Sequence, residues 1–90
     1  MAILLTKLVE ALPRAKVRGK TDVNVEAITN DSRQVTPGSL FVAYRGVSAD
    51  GHDFVPQAVA RGAVAVVTER KIRNLGVPLV VVPDGREALA

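Results

Sequence analysis

Three short clusters hold the side chains that could do chemistry. Asn30-Asp31-Ser32-Arg33 sets an amide, a carboxylate, a hydroxyl and a guanidinium on consecutive residues. Asp50-Gly51-His52 puts the single histidine two residues from a carboxylate. Gly19-Lys20-Thr21 spells the end of a phosphate-binding loop. That loop also needs a glycine at position 14, where Arg14 stands, and it should follow a buried strand rather than Pro13. The Gly19 match therefore reads as a surface coincidence. No other Walker-type or G-x-G-x-x-G run occurs, so ATP chemistry is not expected within this chain. Asp50 and His52 have no nucleophile placed beside them by any signature. His52 is expected in a helix-initiating turn, bonded to backbone or packed on Phe54. With one histidine and no cysteine, a multi-histidine metal site, thiolate chemistry and disulfides are excluded.

Two polar loops flank a short apolar strand, Leu40 to Ala43, an arrangement that can hold a small polar ligand. The first loop is Asn30 to Arg33, which can equally be a turn with Asp31 and Ser32 bonded to nearby backbone. The second is Gly46-Val47-Ser48-Ala49-Asp50-Gly51, which can equally be an ordinary strand-to-helix loop. Pro37-Gly38 fits the two central positions of a type II turn.

The elements that must position these loops follow from periodicity. Leu4, Leu5, Leu8, Val9 and Leu12 share one helical face, predicting a helix over 3–12 that Pro13 ends. Residues 14–22 read as a basic loop. Residues 23–28 alternate as a half-buried strand. A helix over 54–61 is expected, with Asp53 as its cap, Pro56 in its first turn and Gly62 in a left-handed position at its end. Ala63 to Val67 and Leu79 to Val82 are β-branched runs suited to strands buried on both faces. Strand 40–43, helix 54–61 and strand 64–67 form a βαβ unit, right-handed by the general rule. The fold class is α/β, a small mixed or parallel sheet with flanking helices. Asp84 followed by Glu87 resembles a capping box opening another helix.

Composition narrows the partners. The chain has 90 residues, 48% hydrophobic and 3% aromatic, so one small domain with an aliphatic core is expected. Net charge is +3. The cations fall around Arg14 to Lys20 and Arg61 to Arg73, read as solvated surface and counter-charge for an anionic ligand. Nucleic-acid binding would call for more one-sided charge and stacking aromatics, and only Phe41, Tyr44 and Phe54 exist. The apolar start breaks at Thr6-Lys7, and no run reaches the roughly 20 apolar residues of a membrane span. No membrane partner and a cytoplasmic location are expected.

The ordered set D-S-R at Asp31, P-G-x-L-F-V-A at Pro37, D-G-H-x-F at Asp50, A-x3-G-A at Ala58 and V-P-L-V-V-V-P-D at Val77 resembles the N-terminal domain of the Mur ligases. It is nearest the branch that adds the third amino acid to UDP-N-acetylmuramoyl-L-alanyl-D-glutamate. The alternatives are the sister branch that adds D-Ala-D-Ala, or a stand-alone nucleotide-sugar-binding or structural module. The resemblance implies that residues 1–83 anchor the uridine diphosphate and that 84–90 begin a helix leading to a central ATP-binding domain. It implies ATP and magnesium in the parent enzyme, none in this chain, and no catalytic residue here. It places Asn30, Ser32, Val47, Ser48 and Ala49 against the nucleotide, with Gly46 close to the base. Arg33 would brace the corner or face the diphosphate, and Asp31 would fix the turn.

Overall fold

The apolar runs form the middle of a five-stranded sheet in the computed structural model, which describes residues 2–12, 14–46, 49–73 and 75–86. In chain order the elements are β1 (Ile3–Leu4), α1 (Leu5–Glu10), β2 (Lys16–Arg18), β3 (Asn24–Val25), β4 (Ala27–Thr29), β5 (Ser39–Val42), α2 (Val55–Ala60), β6 (Ala65–Thr68) and β7 (Leu79–Val81). Two 3-10 turns, Ser32–Gln34 and Gly51–Phe54, follow β4 and precede α2. The sheet order is β2-β7-β6-β5-β4. Strands β4 to β7 pair in parallel, and β2 joins β7 antiparallel. β1 and β3 form a separate antiparallel ribbon.

Alternation along the central strands divides the core between two faces. Leu40 and Val42, Ala65 and Val67, Val80 and Val82 pack with Leu5 and Val25 on the α1 side. Phe41, Ala43, Val66 and Leu79 pack with Val55 and Ala58 on the α2 side. Pairing of Leu40 with Ala65 and of Val67 with Val80 keeps each face continuous from strand to strand. The uninterrupted apolar runs thus serve two layers at once, as the sequence predicted. Each fully buried valine or leucine contributes about 1.5–3 kcal/mol.

The βαβ unit β5–α2–β6 forms as expected. Gly62 has φ +107°, and a Cβ there would lie 2.8 Å from Pro37 Cα, so glycine lets the end of α2 rest on the turn before β5. That turn closes through the Ser39 N–H donating to the Thr36 carbonyl at 3.0 Å, with Gly38 at φ +95°.

Four expectations change. The first helix is shorter, because Ile3 and Leu4 pair with Val25 and Asn24. The amides of Leu5 and Thr6 then bond to the carbonyls of Val23 and Thr21, which satisfies donors a helix start leaves open. Residues 14–22 contain the strand β2, whose three residues are all exposed and so carry no burial signal. The strand over 23–28 is two strands broken at Glu26, whose N–H donates to the Gly38 carbonyl as the chain changes sheets. Asp53 does not cap α2: the cap position is Phe54, without a side-chain bond, and Asp50 caps the 3-10 turn before it. Asp84 does cap, accepting the Arg86 N–H at 2.9 Å, while Glu87 lies outside the described residues.

Candidate functional site

Both polar loops leave the carboxyl ends of neighbouring parallel strands, β4 and β5, where open α/β sheets bind ligands. Between them lies a cleft of about 650 Å³. Asn30, Ser32 and Arg33 border it from the first loop, and Gly46 and Ala49 from the second. Val47 and Ser48, expected beside them, lie outside the described residues. Gly46 also serves its own loop: its N–H donates to the Ala49 carbonyl at 2.8 Å, and a Cβ on it would crowd that oxygen.

The first corner is built by Asp31. Its Oδ1 accepts the Arg33 N–H at 2.9 Å, and both carboxylate oxygens receive the Arg33 guanidinium at 3.1 Å. The bond from the Arg33 side chain, then that from its N–H, holds the Asp31 carboxyl below the usual carboxylate range. Asp31 in turn raises the Arg33 guanidinium. Arg33 therefore braces the corner. Ser32 is buried, and its hydroxyl donates to Gln57 Oε1 across the cleft at 3.5 Å, a long bond that a ligand could replace.

Three further residues line the cleft that the sequence did not assign to it. Gln57 projects an amide from α2. Tyr44 takes the Asn30 amide on its hydroxyl at 2.8 Å. Phe54 is 41% exposed and gives the cleft an aromatic wall. The aromatic in D-G-H-x-F was the one clue available in the sequence, read there as a packing partner for His52.

Asp50 and His52 stand behind the cleft as a brace. His52 is buried, with Nδ1 2.6 Å from Asp50 Oδ1 and Nε2 accepting the Glu69 N–H at 2.9 Å. Asp50 also takes Arg70 at 3.1 Å. The His52 side-chain and backbone bonds, helped by Arg70, hold the Asp50 carboxyl far below its usual range. Every side-chain polar atom of the pair is used in this network, which is the structural role expected for His52.

The chain is similar to known sequences and structures. Residues 24–90 match the family model described as "Mur ligase family, catalytic domain". The chain belongs to the Mur ligase family. A UDP-N-acetylmuramoyl-L-alanyl-D-glutamate--2,6-diaminopimelate ligase from Geobacillus thermodenitrificans is 50% identical over 86 residues, 96% of this chain and 17% of the relative. A UDP-N-acetylmuramyl-tripeptide synthetase from Roseiflexus is 52% identical over 68 residues, 73% of this chain and 13% of the relative. The crystal structure of the Mur ligase MurF from Acinetobacter baumannii superposes with a TM-score of 0.88 at 30% identity, over 99% of this chain and 20% of that one. This chain thus spans a fifth or less of these Mur ligases, and it corresponds to their N-terminal domain. The matched stretch of this Mur ligase chain holds no glycine-lysine phosphate loop.

Proposed function

We propose that this domain anchors the uridine diphosphate of UDP-N-acetylmuramoyl-L-alanyl-D-glutamate in the cleft between the β4 and β5 loops. The convergence of Asn30, Ser32, Gln57, Gly46 and Ala49 on one cleft carries the reading. Uracil presents one N–H between two carbonyl acceptors, and side-chain amides, a hydroxyl and loop backbone can complement that edge. Phe54 offers a face for the base. Val47 and Ser48 complete the loop in sequence, and their contacts with the base and ribose are part of the proposal.

The parent enzyme is an ATP-dependent amide ligase that adds a diamino acid as the third residue, in the cytoplasm. ATP and magnesium bind its other domains, because no phosphate loop occurs here. This domain contributes remote binding energy that positions the reacting carboxylate, and it catalyses nothing alone. The sister activity, addition of D-Ala-D-Ala, has less support: identity is 50% to the tripeptide-forming relative and 30% to the sister's solved structure.

The test is an amide-resolved NMR titration of the chain with UDP, with ADP as control. Shifts at Asn30–Arg33 and Gly46–Ala49 with UDP alone are expected. Equal response to both nucleotides, or shifts elsewhere, would overturn the assignment of the cleft.

A further inference from the structure

The opposite end of the sheet carries a second groove, of about 730 Å³, where β2 ends and β7 begins. Its floor is apolar, made by Ile72, Leu75, Val77 and Leu79. Its rim is mainly cationic, with Asp22 the one carboxylate among its lining residues: Arg18 and Lys20 come from the chain leaving β2, and Arg73 from the connection between β6 and β7. No described residue forms a salt bridge or hydrogen bond with the side chains of these three. Gly19 lies against Pro78, where a Cβ would come within 3.2 Å of Pro78 Cα, so the two walls meet at one end. Alongside runs the outer edge of β2. Among the described residues that strand pairs with β7 alone, and it exposes Lys16, Val17 and Arg18.

We propose that the β2 edge and this groove dock an extended acidic peptide segment. The segment adds as a strand beside β2, sets carboxylates against Arg18, Lys20 and Arg73, and lays an apolar side chain on the Ile72–Leu75 floor. A row of open backbone donors and acceptors is matched by another main chain and by little else. A bare phosphate would gain nothing from the apolar floor. A nucleic acid would find no aromatic residue to stack on. Lysine on an edge strand also deters unwanted pairing. That use does not account for Arg73, which arrives from another segment, or for the apolar groove between.

The site is remote from the nucleotide cleft, and its test is independent of it. The chain is titrated by NMR with an acetylated, amidated peptide of alternating glutamate and valine, against the same peptide with glutamine for glutamate. Saturable shifts at residues 16–20 and 72–79 are expected with the acidic peptide only, weakening as salt is raised. The exposed double variant Arg18→Glu, Arg73→Glu should lose at least about tenfold in affinity, the equivalent of about 1.4 kcal/mol, with thermal unfolding unchanged. No saturation, or equal binding of the glutamine peptide, overturns the proposal even if the double variant fails to fold. Pyrophosphate or a short oligonucleotide binding the same residues as tightly also overturns it, because the surface would then select charge and not a strand.

Discussion

The backbone N–H of Glu69 points at Nε2 of His52, 2.9 Å away, and so fixes which ring nitrogen carries the proton. An N–H donor requires a lone pair on Nε2, which leaves the proton on Nδ1, facing Asp50 Oδ1 at 2.6 Å. Long-range proton–nitrogen NMR should therefore show the Nδ1–H tautomer. An Nε2–H pattern would contradict this arrangement. His52→Ala should cost about 2 kcal/mol in urea unfolding, because it strands the Glu69 donor in a buried position.

Glu69 also ties the end of the described chain to the site. Its carboxylate accepts the N–H of Arg45 at 3.1 Å and that of Gly85 at 2.8 Å. Glu69→Ala should release both, lowering stability by about 1–3 kcal/mol. Faster amide exchange at Arg45 and Gly85 would show it, and unchanged exchange there would count against the strap.

Gly85 is packed too tightly for a side chain. A Cβ would sit 2.7 Å from Tyr44 Cβ and 3.0 Å from the Ala43 carbonyl. Gly85→Ala should destabilise by about 1–3 kcal/mol through overpacking. The Arg86 guanidinium, 5.5 Å from the Tyr44 ring centre, should shift with it. A melting temperature equal to the parent's would show that the segment yields freely.

Acid should weaken the fold through Asp50 and Asp31. Both carboxyls are held below their ordinary value of 3.8, Asp50 chiefly by the His52 bond and Asp31 chiefly by Arg33. A carboxyl depressed on folding stabilises fully above its unfolded pKa, and that contribution is lost as pH falls towards the folded one. Unfolding free energy should therefore drop from about pH 4 downward, within the range set by the unfolded reference value. Asp50→Asn should flatten that drop. An unaltered slope between pH 5 and about pH 2.5 would remove Asp50 from the explanation.

Ligand binding should separate from stability at Ser32. Its one side-chain bond among the described residues, to Gln57, is 3.5 Å long, so Ser32→Ala should leave the unfolding midpoint nearly unchanged. UDP affinity should fall by roughly fivefold, the loss of about 1 kcal/mol for one hydrogen bond. Phe54→Ala should weaken UDP similarly. If both variants bind UDP as the parent does, the cleft is not the nucleotide site.

The sequence by itself determined the parts governed by local chemistry. Runs such as Ala65 to Val67 and Leu79 to Val82 could only be buried on two faces, because nothing polar interrupts them. Pro37-Gly38 and Gly62 announced their turns through backbone geometry alone. The two polar loops were legible because they flank an apolar strand.

Tertiary structure decided what depends on partners far along the chain. β2 is exposed throughout and exists because β7 offers its backbone edge, information absent from residues 16–18. The break at Glu26 depends on the Gly38 carbonyl, and the late start of the first helix at Leu5 depends on Ile3 and Leu4 pairing with Val25 and Asn24. Of the two uses open to Arg33 in the sequence, bracing the corner is the one its pairing with Asp31 supplies, while Gln57 and Tyr44 became cleft residues only when the fold placed them there. Periodicity records the face a residue buries, and it holds no record of which distant group meets it.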